Sequence, residues 1–205
     1  MMVSRGKVHK YLGTTLDYTV RGQVQITMID FLDKVLIAFD KAEPKGGGTN
    51  KSAASENLSK VDKDCKNLPQ IKTVQFHNLV EKTLYSTKQA RPDTCKTVTF
   101  LTKRVRAPDL DDWDNMLHMM RYIRGTRMLP LIISSNGSGI LKWWVDALFA
   151  VYPNMRGNYG GGLSLVRRFT ILSSTKHKLK TRSSTETELV GADDFMPAIC
   201  WSRYF

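Results

Sequence analysis

The stretch "KWWVDALFAV", Lys142 to Val151, decides how the last third of this chain is read. It is apolar and aromatic enough for a buried strand, yet one aspartate, Asp146, stands in its middle. An isolated buried anion is too costly, so a carboxyl group there is neutral, paired with a cation, or holding a metal. Side chains alternate along a strand, which puts Leu141, Trp143, Val145, Ala147 and Phe149 on one face. Lys142, Trp144, Asp146, Leu148 and Ala150 take the other.

From Gly137 the pattern reads strand, strand, strand, helix, an α+β grammar. "GILKWWVDALFAV" is the first strand, "PNMRGNYGGG" a turn-rich loop, "LSLVRRFTILSS" a second strand and "KHKLKT" a short third. "SSTETELVGADDFMPAICWSRYF" is a helix in which Ser183 and Glu186 fit a capping box. Glu188 shares a row with Ala192 and Phe195 and so turns inward. An inward glutamate and a mid-strand aspartate can converge, and paired carboxylates hold Mg²⁺, a hard cation that takes oxygen ligands. A salt bridge to one of the many lysines or arginines is the competing reading. Arg167, Arg168, Lys176, Lys178, Lys180 and Arg182, with Arg156 upstream, make a basic run suited to positioning phosphates. "GNYGGG" lacks the Lys-Ser/Thr of a phosphate loop, the four histidines have no ligand spacing, and Ser173 and Ser174 sit in no nucleophile motif.

The upstream part is mostly helical. Residues 8 to 29 read as one hairpin turning at Arg21-Gly22, and Asp30 as the cap of a helix through Phe31, Leu32, Val35, Leu36 and Phe39. "EPKGGGTNKSAASENLSKVDKD" has the composition of a mobile linker. "QIKTVQFHNLVEKTLYSTKQA" is a helix ending before Pro92, which opens the next one. Asp109 caps a further helix with Trp113, Met116, Leu117, Met120 and Ile123 in one stripe and Gly125 as its stop.

The 205 residues carry 31 Lys plus Arg against 19 Asp plus Glu, a net charge of +12. That excess favours polyanions, nucleic acid first. The opening residues are polar, no run is long enough to span a bilayer, and three scattered cysteines suit a reducing, intracellular compartment.

Taken together the motifs resemble the end of the pol polyprotein of copia-type LTR retrotransposons, from the last part of reverse transcriptase into RNase H. "HKYLGTTLDYT" looks like the family's "yFLGI" hairpin. "ARPD" and "RYIRGT" look like its "tRPDI" and "lrYLkGT", and "SSTETELV" like "SSTEAEyma". "WWVDALFAV" resembles the strand bearing the first RNase H aspartate. The resemblance implies a helical thumb and connection region followed by a partial RNase H-like sheet with one long C-terminal helix. It implies four parts: the end of a palm at 1–42, a linker at 43–67, thumb and connection at 68–136, and a truncated RNase H-like domain at 137–205. It makes Asp146 and Glu188 the first two catalytic carboxylates of a two-Mg²⁺ site acting on an RNA/DNA hybrid. It also implies a cytoplasmic virus-like particle or the nucleus as the place of action, and the remainder of a pol polyprotein as a partner. The family's polymerase motif "YVDD" is absent, the third RNase H aspartate belongs to a later strand, and Leu148 replaces a small or hydroxyl residue. The expected chain is therefore catalytically incomplete. The alternatives are a non-catalytic nucleic-acid-binding module and a protein-interaction remnant docking through the Met-rich helix.

Overall fold

The computed structural model describes residues 5–62, 64–134, 140–152, 154–164 and 169–204, with the side chains at 169 and 170 left aside. The chain forms two compact units, Met1–Ile132 and Ile133–Phe205. Helices and two antiparallel sheets make it up; the expected parts at 1–42 and 43–67 fall in the first unit, and the part expected at 68–136 reaches past its end at Ile132.

In the first unit, β1 (Val8–Tyr11), β2 (Thr14–Asp17) and β3 (Gln23–Thr27) form a meander, not a single hairpin. The first turn is the two residues Leu12 and Gly13, at φ 47° and 77°, between the paired Tyr11 and Thr14. Two positive φ values match the right-handed twist of the flanking strands. The anticipated Arg21-Gly22 turn joins β2 to β3, with Gly22 at φ 78°. A fourth strand, β4 (Leu131–Ser134), lies beside β3.

Four helices follow the meander: α1 (Ile29–Ala42), α2 (Gln70–Gln89), α3 (Cys95–Thr102) and α4 (Leu110–Thr126). Asp30 does not cap α1; Met28 holds that position, and Asp30 sits in the first turn, paired with Lys10 at 3.2 Å. Asp109 does cap α4, and the box closes both ways: Asp112 N donates to Asp109 Oδ1 at 2.8 Å and Asp109 N to Asp112 Oδ2 at 3.0 Å. The Arg104 guanidinium clamps both acids. Along α4 the core row is Trp113, Met116, Met119, Met120 and Ile123, with Leu117 only half-buried. Gly125 does not stop the helix. A Cβ there would stand 3.2 Å from the Thr49 Cβ, so this glycine admits a neighbouring coil.

That coil is the stretch read as a linker. It contains no helix or strand, but it is held along its length. Glu43 accepts from Lys72 and from the Trp113 indole, and its carboxyl lies below the usual range chiefly because of Lys72. Asn50 donates to the His118 carbonyl, Ser55 to Asn115, and Thr97 to the Ala53 carbonyl, while Leu58 is buried. Ser52 and Ser55 bond to side chains of α4, and Gly46 sits where a Cβ would strike Phe39 of α1, while composition alone suggests freedom.

Arg91 is the largest fully buried side chain. Its guanidinium reaches Asp93 at 2.7 Å, the Thr126 hydroxyl at 2.7 Å and the Thr126 carbonyl at 3.2 Å; Tyr122 donates to Asp93 at 2.8 Å. The motifs "ARPD" and "RYIRGT" are thus one hydrogen-bonded knot tying the α2–α3 junction to the end of α4.

In the second unit, β5 (Lys142–Leu148), β6 (Asn158–Ser164) and β7 (Phe169–Lys176) form an antiparallel sheet in that order. The helix α5 (Ser184–Ser202) packs over β5 and β6. The glycine run expected to be a loop is the central strand, and "KHKLKT" supplies only its first residue to β7. The reason is packing. A Cβ on Gly161 would lie 2.5 Å from the Phe195 ring, and one on Gly191 would meet Ala147 and Tyr159 at 3.3 Å. Only a bare backbone lets helix and sheet approach this closely.

Replacing Arg91 by methionine should lower the stability of the first unit by about 3 kcal/mol, because Asp93 and the Thr126 carbonyl lose their donor. Urea unfolding followed by circular dichroism checks this; a loss under about 1 kcal/mol would show that the knot is dispensable. Gly161→Ala should cost the second unit about 1–3 kcal/mol by overpacking, and Phe195→Leu in the same chain should restore part of it. Equal midpoints for the single and double variants would contradict the contact.

Candidate nucleic-acid and metal site

Exposure alternates along β5, and α5 covers the side bearing Trp143, Val145 and Ala147. Trp143 donates to the Ser202 hydroxyl at 2.9 Å and packs on Phe195. Asp146 therefore stands on the sheet face away from α5, in solvent, where its Oδ1 accepts from the Ala147 amide at 3.0 Å. The dilemma of a buried anion disappears, since a hydrated carboxylate pays no desolvation cost.

Glu188 is not inward as its spacing suggested. The buried positions of α5 are Thr187, Gly191, Phe195 and Ser202, and Glu188, about 100° round from Thr187, is exposed. The helix centres its contact on small residues because they permit the closest approach, and this rotates Glu188 out to a flank. Asp194, on the opposite flank, interacts with Tyr159 of β6. Asp146 thus lies on the sheet face away from α5, while Glu188 is exposed on the helix that covers the other face. Among the described residues, neither enters an ion pair.

As metal donors, the two acids are too few for a pair of ions. Mg²⁺ takes one or two carboxylates and fills the rest of its octahedron with water and substrate oxygens, but two adjacent ions need a larger set. Asp194 is occupied by Tyr159, and Asp193 is exposed on the same helix. The residues present do not fit a two-Mg²⁺ site. Elsewhere, Cys65, Asp109 and Asp111 bring their ligand atoms within 4.8 Å of one another. Both Asp109 oxygens are already taken, by the Asp112 amide and by Arg104, so this cluster serves the helix cap.

Of the basic residues, Arg156 and Lys176 are half-buried, while Lys178, Lys180 and Arg182 are exposed on the connection into α5. The Arg182 amide donates to Glu186 at 2.6 Å, which closes the cap of α5 one residue earlier than a standard box. Arg167 and Arg168 lie outside the described residues.

Sequence reading missed His177. Set between two lysines, it carries no sign of burial, yet it is 1% exposed beneath α5. Its ring meets Tyr159 edge-on at 4.7 Å, and neither ring nitrogen has a hydrogen-bond partner. Burial holds its pKa below 6.5, against the opposing pull of Asp194. Burial and then Asp194 push the Tyr159 hydroxyl up to about 12.

With this geometry in place, the chain can be set beside curated proteins that it resembles in sequence. It is 24% identical over 209 residues to the putative transposon Ty5-1 protein YCL074W of Saccharomyces cerevisiae, covering 94% of this chain and 62% of that protein. It is 30% identical over 114 residues to the uncharacterized mitochondrial protein AtMg00810 of Arabidopsis thaliana, covering 55% of this chain and 47% of that one. The chain thus spans less than two thirds of either relative, and it is transposon-related. No family model and no solved structure matches it. No helix among the described residues is long and apolar enough to cross a membrane.

The neutral, buried His177 makes the second unit sensitive to acid. Its folded pKa lies below the unfolded 6.5, so the unfolded chain binds the proton first. The contribution is fully present above pH 6.5 and is lost as pH falls from there toward the folded value. Urea midpoints measured between pH 7.5 and 5 should fall for the native chain, and His177→Phe should flatten that slope. Parallel slopes would refute the assignment.

Proposed function

We propose that this chain is part of a retrotransposon pol polyprotein, spanning the end of reverse transcriptase and the start of an RNase H domain, and that it acts on RNA/DNA hybrids. The observation that carries the reading is the order and spacing of "ARPD", "RYIRGT" and "SSTETELV" in a transposon-related chain. The Arg91 knot lends support, because it gives two of those motifs one shared physical reason to persist together. The second unit's order of three strands and a helix, with Asp146 mid-strand and Glu188 near the helix start, accords with the same reading.

In this proposal the basic surface grips a hybrid through phosphates and groove shape, with no base readout. Asp146 and Glu188 descend from a Mg²⁺-binding set, but two exposed acids do not supply two-metal chemistry. The chain by itself is a binder and not a nuclease; the remainder of a pol polyprotein would complete it. A particle in the cytoplasm or the nucleus is where such a polyprotein works.

The full chain should bind a labelled RNA/DNA hybrid with an affinity that falls at least about tenfold between 50 and 200 mM salt. Asp146→Asn should bind equally well, and Mg²⁺ should produce no cleavage in either. Absence of binding at low salt would overturn the hybrid reading. Mg²⁺-dependent cleavage abolished by Asp146→Asn would overturn the incompleteness.

A further inference from the structure

Between β5 and β6 the chain folds back on itself: the Tyr152 amide donates to the Arg156 carbonyl at 3.1 Å and the Met155 amide to the Tyr152 carbonyl at 2.8 Å. Met155 adopts φ 59°, which a side-chain-bearing residue takes only at some cost in strain. The His177 amide donates to the Gly157 carbonyl at 2.9 Å, and Lys176 is the cross-strand partner of Asn158, so the end of β7 is fastened beside this turn. The Lys176 ammonium lies 4.2 Å from the centre of the Tyr152 ring. Tyr152 in turn donates to Asn158 at 3.1 Å, and Asn158 to the Ser174 hydroxyl at 3.1 Å.

This scaffold presents two cations, Arg156 and Lys176, both half-buried. The Arg156 Nε is shielded from solvent and donates to nothing. No carboxylate pairs with either cation among the described residues. Burial, then the neighbouring Arg156 charge, holds the Lys176 ammonium below its usual range. A guanidinium N–H shut away from water and a second positive charge beside it are each unfavourable without an anion. A rigid fork of donors next to a point charge matches tetrahedral oxyanions, which accept paired N–H bonds.

We infer that Arg156 and Lys176 form a binding site for a phosphoryl oxyanion at the β5–β6 turn, backed by the Tyr152 ring. Lys176 shares its sheet face with Asp146, since Asp146, Gly160 and Ser174 are partnered across the three strands two positions along from Leu148, Asn158 and Lys176. The oxyanion is either free phosphate or a phosphodiester of a nucleic-acid backbone; only the second source rests on the function proposed above.

The test is titration of the full chain with inorganic phosphate against chloride at constant ionic strength, read by ³¹P line broadening. The native chain and Lys142→Gln, an exposed cation at the far end of the sheet, should bind phosphate alike. Arg156→Gln and Lys176→Gln should each weaken binding by about tenfold, the loss of one charge-assisted bond, and Lys176→Arg should retain it. No phosphate-specific binding by the native chain, or unchanged binding by both glutamine variants, would overturn the site. Displacement of phosphate by an RNA/DNA hybrid identifies the backbone as the source. Phosphate binding without displacement identifies free phosphate, leaving the site standing and the hybrid reading unsupported.

Discussion

The second unit depends on one close approach, that of the Phe195 ring to the bare backbone of Gly161. Because no side chain intervenes, α5 settles low on β5 and β6, with Thr187, Gly191 and Phe195 as its inner row. That seating turns a run of glycines into a central strand, assigns Val145 and Ala147 to the covered face, and leaves Asp146 in water. It also rotates Glu188 to a flank. Close packing is worth more here than strand propensity, because burying one phenylalanine contributes about 2–3 kcal/mol while a glycine in a strand costs less than about 1.

In the first unit the comparable role falls to Arg91. A guanidinium can be buried only if its donors are satisfied, and Asp93 together with the Thr126 hydroxyl and carbonyl satisfies them. The residues that make "ARPD" and "RYIRGT" recognisable in the sequence are therefore scaffolding. They join the end of α2 to the end of α4. A recognisable motif in this chain reports a shared architecture first.

The electrostatics of the second unit lean toward binding. Its acids are exposed or committed to capping and to Tyr159, whereas Arg156 and Lys176 are half-buried without a carboxylate among the described residues. An unbalanced pair of cations, one of them on the Asp146 face, suits a passing phosphate, while two exposed carboxylates are a thin basis for metal catalysis. The same unit keeps a buried histidine under its helix, so its stability responds to acid through His177.

Short-range signals in the sequence determined much of this. The Asp109 capping box, the break at Pro92, the apolar spacing of α1 and α4, the cap at Ser183 and the alternation along β5 are all legible, because each depends on residues within a turn or two of one another. Tertiary structure decided the rest. Leu12-Gly13 became a turn, Gly125 a passage for a coil, Met119 a core residue in place of Leu117, and "NYGGG" a strand, because each answers to a partner far away in the chain. The site followed the same division. Asp146 and Glu188 are visible as residues, but which way they face was set by how deeply α5 sits. The apposition of Arg156 with Lys176 and the burial of His177 arise only when the β5–β6 turn closes against the end of β7, a contact between segments some twenty residues apart.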